Sequence, residues 1–206
     1  MYCEVLGLKT EYERRGEGRP ILILHGWGSS IQAMAPVANC VAALGYEAVS
    51  LAFPGFGGTE EPKEAWGVAD YAHFTKAFIE QQGIVGCSVA CHSFGGRISI
   101  KLLTERALPF TVKKAVFLDA AGIRPKRSLK YYAKVYSYKC MKHLAALPPV
   151  AKCCPALVKR VKKNAGSADY RNASERMRAV MVRCIAEDLT KNLAQIGVPV
   201  LLIWGE

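Results

Sequence analysis

Short apolar runs alternate, from residue 3 to residue 118, with longer stretches whose apolar positions recur every three to four residues. The runs have the length of strands and the longer stretches the spacing of helices. Ile21-Leu22-Ile23-Leu24 is uninterrupted, as expected of a strand buried on both faces. Tyr46 to Phe53, Ile84 to Cys91 and Val112 to Leu118 read the same way. Between them, residues 31–44, 68–82 and 94–108 read as helices, the first two stopped by Gly45 and Gly83. Two shorter strands, 3–6 and 9–14, flank Gly7 at the start. Strands alternating with helices predict an α/β architecture, a mostly parallel sheet covered by helices on both faces.

The alternation breaks after Gly122. In the helix expected over 128–147, Leu129, Ala133, Tyr136, Cys140 and Leu144 share one face, and Lys130, Lys134 and Lys142 the opposite one. Further helix is expected over 155–163 and 174–187, with Asn172 and Glu175 spaced as a capping box. Val198 to Trp204 returns to the pattern of a buried strand. The expected organisation is therefore a core over 1–122, a helical cap over 123–190 and a return to the core over 191–206.

Charge sharpens that division. The chain has 28 Lys and Arg against 17 Asp and Glu, a net charge of +11. Twelve of the 28 lie between Arg124 and Lys163, where no acid occurs, so the remaining sixteen nearly balance the seventeen acids. The excess thus falls within the insert, as expected of a separate structural unit. Its basic face reads either as a solvated helix surface or as a site for an anionic partner: a lipid surface, a carrier protein or an anionic substrate. No nucleic-acid motif accompanies it, so no nucleic-acid partner is expected. No apolar run reaches the roughly 20 residues of a membrane span. The start lacks the basic and apolar segments of a signal peptide, which predicts a cytoplasmic location. The eight cysteines form no CxxC pair and meet no histidine at zinc-finger spacing, so they read as reduced apolar residues, with no metal implied.

Candidate chemistry concentrates at Cys91-His92-Ser93-Phe94-Gly95-Gly96, which follows a strand and opens a helix. A serine on such a turn exposes its hydroxyl above the sheet, and small residues two before and two after let the turn close. Gly95 meets this need, while Cys91 stands where a glycine is usual. His25-Gly26-Trp27-Gly28 follows the first buried strand, and the backbone N–H groups of Trp27 and Phe94 are candidates for an oxyanion hole. Phe53-Pro54-Gly55-Phe56-Gly57 follows the next strand.

With the terminal Val198-Pro199-Val200-Leu201-Leu202-Ile203-Trp204-Gly205-Glu206, these segments resemble the α/β-hydrolase superfamily, particularly capped bacterial serine hydrolases. The resemblance runs over essentially the whole chain. It implies the α/β-hydrolase fold with a helical cap insertion, lacking the last strand and helices. It further implies hydrolysis of a small carboxylic ester, thioester or C–C substrate by attack of Ser93, without a cofactor. His25, Gly26, His92 and Gly95 shape the loop and elbow in this reading. Arg97 suits a substrate carrying a carboxylate, and Tyr132 and Tyr136 suit an apolar pocket lining under the cap. Serine at 93 argues against the dehalogenase and epoxide-hydrolase relatives, which use aspartate there.

In many relatives the acid follows the segment resembling Leu202–Glu206 by two residues, and the histidine lies one strand later. Neither position falls within the 206 residues. Asp119 reads as a loop cap, His73 and His143 lie off the site, and His25 and His92 belong to the loop and elbow. The chain by itself is therefore expected to be inactive. The alternative is a non-catalytic binding or scaffold protein, or a pseudogene product, on the same fold.

Overall fold

The computed structural model describes residues 1–124, 128–146 and 167–205. The uninterrupted apolar run falls in β3 (Arg19–Leu24), the middle strand of a seven-stranded sheet. Leu22, Ile23 and Leu24 are sealed from solvent there. The strands are ordered β1-β2-β4-β3-β5-β6-β7. β1 (Tyr2–Val5) and β2 (Leu8–Arg15) form an antiparallel hairpin, and β2 runs antiparallel to β4 (Tyr46–Leu51). The remaining pairs are parallel: β4 with β3, β3 with β5 (Gly86–His92), β5 with β6 (Thr111–Leu118), and β6 with β7 (Val200–Ile203). The chain leaves β3 for β4 on one side and later returns to its other side as β5. Loops from β3 and β5 therefore meet where the strand order reverses, the usual place for a site in a parallel sheet.

Helices α1 (Ala35–Ala43), α2 (Val68–Gln81) and α3 (Phe94–Leu103) cover the sheet. α2 is driven down by Tyr71, Phe74, Phe78 and Ile79, all fully buried. Each such side chain stabilises the fold by roughly 1.5–3 kcal/mol. The Asp70 carboxylate caps α2, accepting the Gly67 N–H at 2.7 Å. α3 ends at Leu103 rather than near residue 108. Thr104 closes it by donating its hydroxyl to the carbonyls of Ile100 (3.0 Å) and Lys101 (3.1 Å).

The chain divides into two compact units, Met1–Arg124 with Ser174–Glu206, and Pro125–Ala173. In the second unit, α4 (Leu129–Ala146) exposes Leu129, Tyr132, Tyr136, Met141 and Leu144. α5 (Ala168–Asn172) is capped by Ser167 Oγ, which accepts the Tyr170 N–H. The helix expected over 155–163 lies outside the described residues, as do Cys153 and Cys154. The six described cysteines are free thiols.

α6 (Glu175–Ala186) belongs to the first unit. Its N-cap is Ser174, whose Oγ accepts the Met177 N–H at 3.1 Å, not Asn172. Asn172 closes α5, and Ala173 turns extended between the two helices, which moves the start of α6 by two residues. Met177, Val180, Met181 and Cys184 bury one face of α6 at helical spacing. Arg176 and Arg183 donate to the carbonyls of Pro62 and Ala65, tying α6 to the loop before α2. α7 (Thr190–Leu193) then leads to β7 at the sheet edge. Among the described residues, no helix is long and apolar enough to cross a membrane.

Candidate active site

β5 ends at His92, and α3 begins at Phe94, so Ser93 alone makes the turn between them. Its backbone sits at φ 46°, ψ −107°, a conformation that L-residues rarely adopt. Such strain costs on the order of 1–3 kcal/mol and persists only where the surroundings over-determine it. They do so here. Ser93 N–H donates to the Leu118 carbonyl, and the Ser93 carbonyl accepts from the N–H groups of Gly96 and Ala121, both at 2.9 Å. The side chain is left half-exposed at the C-terminal end of the strands.

Glycine is required where the elbow touches β3. A Cβ on Gly95 would stand 2.5 Å from the Leu24 carbonyl oxygen, while Gly95 N–H donates to the His25 carbonyl. A Cβ on Gly26 would meet the His92 ring at 2.9 Å and Ser93 Cβ at 3.3 Å. The loop after β3 therefore lies directly against the elbow. Cys91 is accommodated where the sequence pattern favours glycine. It is fully buried, with Sγ facing the Val116 carbonyl at 3.5 Å, and burial pushes its thiol up to about 12. It is thus held as a neutral thiol.

Phe94 follows the serine directly, and Trp27 follows Gly26, which lies against it. Their rings meet edge to face at 5.2 Å, and both contact Phe56. Among the described residues, no protein acceptor pairs with the backbone N–H of either. Phe94 is the first residue of α3, where an N–H has no partner within the helix.

His25 is engaged at both ring nitrogens. Nε2 accepts the Phe53 N–H at 3.0 Å, so the proton resides on Nδ1, which donates to the Gly26 carbonyl at 2.7 Å. Burial, only partly offset by the Gly26 carbonyl, lowers its pKa from 6.5 to about 4. The ring is neutral near pH 7 and lies tilted against Phe53 and edge to face with Phe56. It bridges the loops after β3 and β4, and its lone pair is not available to Ser93. His92 is partly buried beside Gly26. Among the described residues, no side chain is hydrogen-bonded to Ser93 Oγ.

Arg97, one turn into α3, is buried, and its Nη1 donates to the carbonyls of Cys184 (3.0 Å) and Glu187 (2.8 Å). Lys101 pairs with the Glu187 carboxylate one turn further on. This end of α6 is therefore fastened to the helix that carries the elbow. Tyr132 and Tyr136 lie in the second unit, exposed on α4. Asp119, at φ 42°, accepts the Gly205 N–H and links the ends of β6 and β7.

Two supports were not evident from sequence. Met177 of α6 packs against Gly55, where a Cβ would stand 2.5 Å from its sulfur. Glu11 of β2 accepts the Gly58 N–H at 2.6 Å, and Thr59 Oγ1 accepts the Glu11 N–H and donates to the Ala52 carbonyl. The glycine-rich loop after β4 is thus clamped by the N-terminal hairpin. No local signal marks Glu11 for this task, because its partners lie nearly fifty residues away. Among the described residues, no group of three His, Cys, Asp or Glu side chains suits a metal ion.

A family model described as serine aminopeptidase, S33, matches residues 19–206. A haloalkane dehalogenase of Bradyrhizobium diazoefficiens is 28% identical over 130 residues, which cover 59% of this chain and 38% of that protein. The matches to curated relatives span 28–40% of those proteins' own length. Among solved structures, a bacterial membrane phospholipase A covers the whole chain and 69% of its own, with a TM-score of 0.73 and 22% identity. An esterase of Exiguobacterium antarcticum covers 98% of the chain and 79% of its own, with a TM-score of 0.69 and 19% identity. At these identities the structures establish likeness of fold.

Proposed function

Since the chain belongs to the serine aminopeptidase S33 family of α/β hydrolases, we propose that it carries the nucleophile and oxyanion site of a serine hydrolase acting on a small carboxylic ester or a related thioester or C–C substrate. The observation that carries this reading is the backbone of Ser93, a non-glycine residue held at positive φ between a strand and a helix with its side chain accessible. In the proposed reaction Ser93 Oγ attacks the substrate carbonyl, and the oxygen that gains charge is received by the N–H groups of Trp27 and Phe94. The edge-on rings of Trp27 and Phe56 offer an apolar wall beside the acyl group. Arg97 acts as a positioning residue, through α6, rather than as a substrate contact. Tyr132 and Tyr136 belong to the proposal as cap residues for the apolar part of the substrate.

The attacking hydroxyl must lose its proton, and among the described histidines His25 is disqualified by its two hydrogen bonds. These 206 residues alone are therefore proposed to be inactive, because an unactivated serine is a weak nucleophile. A second reading, a non-catalytic binding protein on the same fold, is favoured by the lack, among the described residues, of a side chain hydrogen-bonded to Ser93 Oγ. An anionic partner for the basic stretch from Arg124 to Lys163 remains part of the proposal.

Labelling with a fluorophosphonate, read by mass spectrometry, separates the readings. In the chain extended by the roughly 60 residues that a relative carries beyond position 206, the hydrolase reading expects the adduct on Ser93, formed faster than on Ser29 or Ser30 and lost in Ser93→Ala. Labelling of Ser93 no faster than of those loop serines would sink it and leave the binding-protein reading.

A further inference from the structure

At the opposite end of the sheet from Ser93, the N-terminal ends of four adjacent strands surround a cavity of about 120 Å³. Three cations line it: Arg19 of β3, and Lys113 and Lys114 of β6. Tyr46, Cys87 and Ser88 contribute to the wall. From these residues we infer that the cavity is a binding site for a phosphate-class oxyanion, distinct from the elbow.

Two features of the backbone gather the cations. The first is a β-bulge. β5 and β6 pair Cys87 with Val112 and then Val89 with Ala115, so Lys113 and Lys114 together face the single residue Ser88. In a regular strand, consecutive side chains point to opposite faces. The extra residue breaks that alternation and re-aims a side chain. Both lysines consequently reach one cavity. Bulges are uncommon between parallel strands.

The second feature is a close approach of two turns. Gly18 lies at φ +119°, and a Cβ there would collide with the Gly45 carbonyl oxygen. A Cβ on Gly16 would stand 2.6 Å from the Tyr46 carbonyl oxygen. The glycines let the turn before β3 nest against the turn before β4, which registers Arg19 beside Tyr46. The guanidinium then lies over the Tyr46 ring, 5.8 Å from its centre. This cation–π contact orients the fork without neutralising it.

Among the described residues, none of the three cations is held in an ion pair. The ion pairs among the described residues join Arg14 to Glu47, Arg15 to Glu13, Lys76 to Glu105 and Lys101 to Glu187. Arg19, Lys113 and Lys114 take part in none of them. Glu47, next to Tyr46, is held bidentately by Arg14. Three cations and a serine around a small hollow supply the charge and the donors that a phosphate group takes, whether of a soluble metabolite or a lipid headgroup.

The test uses the full chain. Inorganic phosphate is titrated at low ionic strength and followed by amide ¹H–¹⁵N shifts, with chloride as control. The expected result is saturable shifts confined to residues 19, 46, 86–88 and 113–114. Lys113→Gln with Lys114→Gln should weaken phosphate about tenfold or more, while Lys9→Gln, on β2, leaves it unchanged. Arg19→Gln is the independent second variant. Co-sedimentation with phosphatidic acid vesicles, compared with phosphatidylcholine, decides between sources. Loss of vesicle binding in the same variants assigns the headgroup, and its persistence assigns the soluble ligand. Non-saturating shifts, or equal affinity in both pocket variants and the wild type, would overturn the site.

Discussion

Lowering the pH should loosen this protein through His25. The ring is 1% exposed and neutral, with Nε2 accepting from Phe53 and Nδ1 donating to Gly26. Protonation would place a second donor opposite the Phe53 N–H and a charge in a site walled by Phe53 and Phe56. Its folded pKa of about 4 lies below the ordinary 6.5. The unfolded chain thus binds the proton more readily between those values. The stability contributed by His25 is complete above pH 6.5 and falls as pH drops through the window toward 4. The full gap corresponds to roughly 3 kcal/mol, and about 2 kcal/mol is lost by pH 5. At that pH the Asp188 carboxylate, held below its usual range by the Thr190 hydroxyl, remains ionised and does not contribute. The assay is urea unfolding at pH 7.5 and pH 5 for wild type and His25→Gln, whose amide oxygen can accept the Phe53 N–H. The wild type should lose about 2 kcal/mol more than the variant between the two pH values. Parallel losses in the two proteins would refute the reasoning, because the ring would then titrate alike in both states.

Two further outcomes follow from the same packing. Ser93→Gly removes the penalty of positive φ and should stabilise the fold by about 1 kcal/mol, raising Tm by roughly 2–4 °C while abolishing fluorophosphonate labelling; calorimetry that shows Ser93→Gly no more stable than Ser93→Ala would contradict the strain. Arg97→Met strips the donor from the Cys184 and Glu187 carbonyls and should cost about 2 kcal/mol in urea midpoint measurements made without any ligand; unchanged stability would return Arg97 to a substrate-facing role.

The alternation of apolar runs and helical spacing carried the fold, because burial on both faces writes itself into consecutive residues such as Ile21–Leu24. The elbow was legible for a similar reason: its constraints are local, and Ser93, Gly95 and Gly96 adjoin. Long-range partners were not legible. Arg97 reads in sequence as suited to a substrate carboxylate because the carbonyls it binds belong to residues 184 and 187, far along the chain. The start of α6 was misjudged because serine and asparagine are comparable caps, and the extended Ala173 decides between them. The paired lysines of β6 gave no signal at all, since a bulge is a property of two strands and neither sequence announces it.

The clamps on Ser93 also lie in order along the chain. β2, β3 and β4 can pair once Leu51 has emerged, and β5 can join β3 once His92 has. Two of the three groups that grip the serine backbone, the Leu118 carbonyl and the Ala121 N–H, are then still to come. A chain that stops short of Leu118 therefore holds the Ser93 backbone only through the Gly96 N–H. The turn is thus closed from downstream, and its backbone geometry is secured in full only with β6 paired beside β5.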